Sequence, residues 1–131
     1  MSILGRNVSW KAIAAMALIM VLAVLLPALS NTPSREITLV VRDMTFYLED
    51  DLDTPNPTLE VQAGERVRVV LRNQDRGLTH DFSVPAVGAG VSPIRWNESD
   101  TVVFDVPSTP GTYEYYCNPH RLMMRGAIRV Y

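Results

Sequence analysis

"YYCNPHRLMMRG" (Tyr115–Gly126) holds the chain's one cysteine, one of its two histidines and two adjacent methionines. A thiol, an imidazole and thioethers are soft or borderline metal donors. The stretch lies between two apolar runs, "GTYEYYC" before it and "GAIRVY" after it. In "GTYEYYC" the tyrosines Tyr113 and Tyr115 fall on one face, the period of a half-buried strand. The segment therefore reads as a ligand-bearing loop between the last two strands of a β domain.

Working back from it, the same signals recur. "ITLVVRDMTFYL" is β-branched and aromatic, "TLEV" runs into the turn "QAGE", and "RVRVVLRN" alternates, with Val67 and Val69 opposite Arg66 and Arg68. "THDFSVP" and "TVVFDVP" complete the set, and "TPNP", "NQDRG", "VGAG" and "STPG" mark turns between strands. "AVGAGVSPIRWNES" reads as a loop, with Trp96 either packed or exposed. No segment after Ser30 has a helical period. About seven short strands in a hundred residues predict an all-β domain, a two-sheet antiparallel sandwich or a small barrel.

The N-terminus is different. Ala12 to Leu29 carries no charge and follows Arg6 and Lys11. As a helix it is roughly 27 Å long, enough to reach across a hydrocarbon core. Residues 1–30 fit a transmembrane anchor, and equally a signal peptide with "ALS" before the cut. Either way the basic flank stays cytoplasmic and the rest is extracytoplasmic, periplasmic or at the cell surface. Residues 31–36 form a polar linker, and 37–131 the domain.

Beyond residue 30 there are ten arginines, no lysine and fourteen acids, a net charge of −4. No basic tract suits nucleic acid. "LEDDLD" (Leu48–Asp53) reads as a solvated loop. A single cysteine cannot form an internal disulfide, and an exported lone thiol is a liability unless something occupies it.

His120 follows Cys117 by three residues, and the other histidine, His80, opens a predicted strand. In a sandwich such remote positions can meet at one pole. A thiolate, two imidazoles and one weak thioether suit copper in both oxidation states. A structural zinc site wants four strong donors, and calcium or magnesium wants oxygen. This reading requires His80 to lie beside Cys117 in space.

The pattern resembles the cupredoxins, the small type 1 blue copper proteins that include plastocyanin, amicyanin and pseudoazurin. Its motif is a distal histidine, then Tyr-x-Cys-x(2)-His, then Met-x-Gly before a final strand: here His80, Tyr115, Cys117, His120, Met124 and Gly126. "VQAGERVRVVLRNQD" and "STPGTYEYYC" are similar to the family's approaches to its ligands, so the resemblance covers residues 36–131. It implies a Greek-key β-sandwich holding one copper ion on His80, Cys117, His120 and Met124. Met123 is the alternative axial ligand if spacing is counted from His120 rather than back from Gly126. Asp81 stands where the family often has Asn; with Asn118 it is expected to brace the ligand loops, accepting hydrogen bonds without donating them.

The implied function is electron transfer through Cu(I)/Cu(II) between redox partners outside the cytoplasmic membrane, with no enzymatic activity and no obligate oligomer. Partners would dock transiently over Pro119, Leu122 and Met123, flanked by Arg121 and Arg125. The alternative is a copper-binding protein that delivers metal to a membrane oxidase. Such a carrier should have an exposed site without cysteine, so Cys117 favours the redox role.

Overall fold

The computed structural model describes residues 9–30 and 32–131, with side chains of 22–30 outside the description. The chain forms two compact units, one ending at Thr32 and one running from Pro33 to Tyr131. In the first, α1 spans Trp10–Ser30. Side chains are described for its first twelve residues, roughly 18 Å of helix. Among the described residues no helix is long and apolar enough to cross a membrane. Arg6 lies outside the described residues, as do Asn31 after the proposed cut and the side chains of "ALS" before it.

The second unit is all β. Nine strands follow in order: β1 (Arg35–Arg42), β2 (Thr45–Leu48), β3 (Leu59–Val61), β4 (Arg66–Asn73), β5 (His80–Val84), β6 (Ala89–Ile94), β7 (Ser99–Asp105), β8 (Gly111–Tyr116) and β9 (Arg125–Val130). They form a sandwich, with one sheet ordered β2-β1-β4-β7 and the other β3-β9-β8-β5-β6. The expected sandwich is what forms, but its pairing is mixed. β1 runs parallel to β4, and β3 parallel to β9. The chain crosses from β2 to β3 in the other sheet and then returns at β4, so strands distant in sequence become neighbours without a direct hairpin.

Alternation places the core. Val67, Val69 and Leu71 of β4 are buried, while Arg68 and Arg72 on the alternate positions are exposed. The buried side chains form one core with Leu39, Val41 and Phe46 of the same sheet and Phe82, Tyr115 and Ile128 of the other, and the ring of Tyr115 packs on Phe46 and Phe82 at 5.4 and 5.5 Å.

Three local features depart from the strand reading. β1 starts at Arg35, inside the segment read as linker. "AVGAGVSPIRWNES" contains β6, preceded by a 3₁₀ turn at Pro85–Val87; its glycines and proline hid an edge strand. "ITLVVRDMTFYL" breaks into β1 and β2 at Asp43 and Met44, whose φ angles are +50° and +52°. Two left-handed residues in succession make a two-residue hairpin turn, a conformation that glycine or asparagine usually fills. Here the Asp75 carboxylate holds it, accepting hydrogen bonds from the Asp43 N–H at 2.6 Å and the Met44 N–H at 2.8 Å.

Candidate metal centre

The β8–β9 connection is a tight, largely self-bonded loop. The Cys117 N–H donates to the Met124 carbonyl (3.0 Å), closing it at the base. Within it, N–H groups of Met123 and Met124 donate to the His120 carbonyl, and that of His120 to the Cys117 carbonyl. Each helical-type turn pulls the next donor residue back towards the strand end. From outside, Asn56 of the β2–β3 connection donates its amide to the Met123 carbonyl at 2.9 Å.

Gly126 explains why a glycine follows the methionines. It pairs across the ladder with Tyr115, and the phenol ring lies where a side chain would be: an added Cβ would sit 2.6 Å from Cε1 and closer still to Cζ and Oη. The ring is fixed by its hydroxyl, which donates to the Pro57 carbonyl at 2.6 Å.

The second approach comes from β5. His80, Asp81 and Phe82 are all buried, three in a row where a strand should alternate. The β5–β6 register slips between His80 and Phe82; such an irregularity re-aims side chains at the end of a strand. It turns the His80 ring towards the β8–β9 loop. Nδ1 of His80 lies 3.9 Å from Cys117 Sγ, and Nδ1 of His120 lies 3.6 Å from it. The two rings are 4.8 Å apart between centroids. One donor atom from each of the three residues falls within 4.8 Å of the others.

The structure thus brings the two remote segments together as the sequence reading required. Of the methionines, Met124 is fully buried and Met123 is half-exposed. Pro119 and Leu122 are exposed at the loop, Leu122 almost completely at 95%. His120 is partly exposed, whereas His80 and Cys117 are sealed.

Asp81 links the two approaches. Its backbone N–H points at Cys117 Sγ (3.5 Å), and its carboxylate accepts the Asn118 N–H at 2.6 Å and the Asn118 amide at 2.9 Å. Asn118 also donates to Ser83 Oγ at 2.7 Å. A carboxylate here works as an acceptor only, and both of its oxygens are used.

Burial pushes the Cys117 thiol up to about 11 and holds the His80 imidazole below its ordinary value. Metal-free, the site is a neutral thiol facing two ring nitrogens. A buried thiol of this kind is inert until a cation displaces its proton. Two imidazole nitrogens and one sulfur converging from separate strands, with a buried thioether residue on the same loop, fit a soft or borderline ion; they offer no carboxylate to a hard one.

One neighbour of the site escaped the sequence reading. Asp75, in the loop before β5, places Oδ2 3.0 Å from His80 Nε2. An acid five residues before a ligand, in a loop already rich in turn signals, carries no periodic mark that would single it out.

Comparison with known proteins bears on the family and the fold. A family model described as "Cupredoxin-like domain" matches residues 14–130. The chain is similar to a chloroplastic plastocyanin of Physcomitrium patens, 37% identical over 81 residues, which are 55% of this chain and 46% of that protein. It is also similar to a plastocyanin of Dryopteris crassirhizoma, 32% identical over 84 residues, or 56% of this chain and 82% of that one. The match thus spans under half of the first protein's length. Among solved structures, auracyanin B superposes with a TM-score of 0.64 at 22% identity, covering 77% of this chain and 91% of that chain; this likeness concerns the fold.

Proposed function

This chain belongs to the cupredoxin family, and from that premise we propose that it is a one-electron carrier with a single type 1 copper site on its exported domain. His80, Cys117 and His120 would supply the strong donors and Met124 a weak thioether donor. Bound there, copper supplies a Cu(I)/Cu(II) couple. The carrying observation is the buried Cys117 thiol with two Nδ1 atoms at 3.9 and 3.6 Å.

The protein's own part is to hold donors still. Cys117, His120 and Met124 belong to one loop closed by its own hydrogen bonds, while His80 comes from a different strand of the same sheet. The Asp81–Asn118 bonds tie these segments together, so neither can drift as charge at the site changes. Full burial of Met124 favours it over half-exposed Met123 as the thioether that would complete the set. With cysteine and His80 sealed, exchange of metal is hindered, which suits a redox carrier better than a delivery protein.

Access is through His120, whose partly exposed ring lies amid exposed Pro119, Leu122 and Met123. This apolar patch is small, as befits brief docking. Arg121 stacks on the Tyr116 ring at 4.1 Å and pairs with Glu114, while Arg125 is exposed beside it; the edge suits a partner with an acidic rim. The N-terminal segment, as anchor or signal, would put the domain outside the cytoplasmic membrane.

The test is optical. Adding Cu(II) to the reduced, metal-free protein should produce the intense blue thiolate-to-copper charge-transfer band, lost on reduction and absent from Cys117→Ser. A colourless protein that takes up zinc in preference would overturn the reading.

A further inference from the structure

The loop between β4 and β5 has a framework of its own. Asn73 is buried, and its amide donates to the carbonyls of Leu78 (2.9 Å) and Ile94 (3.1 Å), while its Oδ1 accepts the Asp75 N–H at 2.8 Å. These bonds fix where the Asp75 side chain starts. Its carboxylate then fills the concavity made by two successive N–H groups at Asp43 and Met44, an arrangement suited to an anion. The same Oδ2 that accepts from Met44 faces His80 Nε2 at 3.0 Å.

His80 Nε2 is buried and has no other partner, nor a hydrogen bond of regular geometry. Among the described residues, the His80 ring is also the one basic side chain within ion-pair distance of Asp75. Arg76, next in sequence, lies over the Trp96 ring instead. The charge of Asp75 is therefore directed at the back of the ring whose Nδ1 faces Cys117.

We propose that Asp75 is a positioning residue of the metal site: it holds His80 as the Nε2–H tautomer with Nδ1 free for metal, and its charge favours Cu(II) over Cu(I). The tautomer half stands on the metal-free geometry. The redox half rests on the copper reading above. An acidic partner on the far nitrogen makes a histidine a stronger donor, which stabilises the higher oxidation state and lowers the reduction potential.

Two variants of the full-length chain separate orientation from charge. Asp75→Asn can keep one oxygen towards the Met44 N–H and His80 Nε2, gives up the acceptor for the Asp43 N–H, and removes the charge. Asp75→Ala removes both oxygens and the charge. In metal-free protein at pH 8, long-range proton–nitrogen NMR should show His80 wholly as Nε2–H in the wild type and in Asp75→Asn, and partly as Nδ1–H in Asp75→Ala. With copper, both variants should stay blue and shift towards Cu(I) by at least tenfold, about 59 mV upward for one electron. An Nδ1–H His80 in the wild type overturns the proposal. So does an unchanged potential in Asp75→Asn, even if its thermal stability falls, since Asp75 would then only clamp the turn. Should Asp75→Ala fail to fold, the wild-type tautomer and the Asp75→Asn potential still decide. A wild type that never turns blue sinks the copper reading, while the tautomer measurement continues to judge Asp75.

Discussion

Replacing Gly126 with alanine adds one carbon at the most crowded point of the β8–β9 ladder. The new Cβ would lie 2.6 Å from Tyr115 Cε1 and nearer to Cζ and Oη, where ordinary contact is about 3.5–4.0 Å. The ring cannot swing aside freely. It is fully buried, packed at 5.4 Å on Phe46 and 5.5 Å on Phe82, and its hydroxyl is bonded to Pro57. Overpacking of this kind costs about 1–3 kcal/mol. Displacing the phenol from the buried carbonyl adds about 1–2 kcal/mol. A total near 3 kcal/mol, with a urea dependence of about 1.5 kcal/mol/M for a unit of this size, lowers the unfolding midpoint by roughly 2 M. The measurement is urea unfolding of metal-free protein followed by far-UV circular dichroism. Tyr115→Leu should cost stability alone yet relieve the clash, giving a coupling of about 1 kcal/mol or more in the double-mutant cycle. A Gly126→Ala loss below about 0.5 kcal/mol, or strict additivity with Tyr115→Leu, would refute the argument.

The axial assignment and the ionisation of the site supply two further expectations. Met124→Leu should shift the reduction potential upward while the blue colour persists, and Met123→Leu should leave the potential in place; the reverse outcome, read by redox titration, transfers the axial role to Met123. In the metal-free protein, burial raises Cys117 from its ordinary 9.0 to about 11. Above pH 9 the unfolded chain loses a proton that the fold retains, so stability present below pH 9 drains away towards pH 11, by about 2–3 kcal/mol. His80, depressed by burial, acts on the other side: its contribution is present above about pH 6.5 and lost on acidification, because the unfolded chain takes up a proton that the buried ring resists. Unfolding midpoints measured across pH should be highest between about 7 and 9, and a maximum above pH 10 would contradict this assignment.

How far the residues announced these features depends on the range of the interaction. Val67 and Val69 were legible because alternation is a local signal, and they lie in the core. The ligands were legible because type and spacing are chemically restrictive: Cys117 and His120 sit in one loop, and His80 was the remaining candidate imidazole. Other features depend on contacts that no local pattern records. Asp43 and Met44 look like the middle of a strand, and only a carboxylate from another loop makes them a turn. β6 is an edge strand containing Gly90 and Pro93, whose sequence reads as loop, and its partner β5 supplies the pairing. Asp75 is unremarkable until the fold places it behind His80.

That turn has a consequence for the order of assembly. A hairpin between adjacent strands is ordinarily among the fastest elements to form, since little chain must be closed. The β1–β2 reversal lacks glycine, and its anchoring oxygens come from a residue 32 positions later than Asp43. It therefore behaves kinetically as a distant contact in local disguise: the corner waits until β4 has docked and delivered its loop. The two earliest strands to be synthesised are thus expected to complete their corner late, after the segment that will carry His80 has arrived.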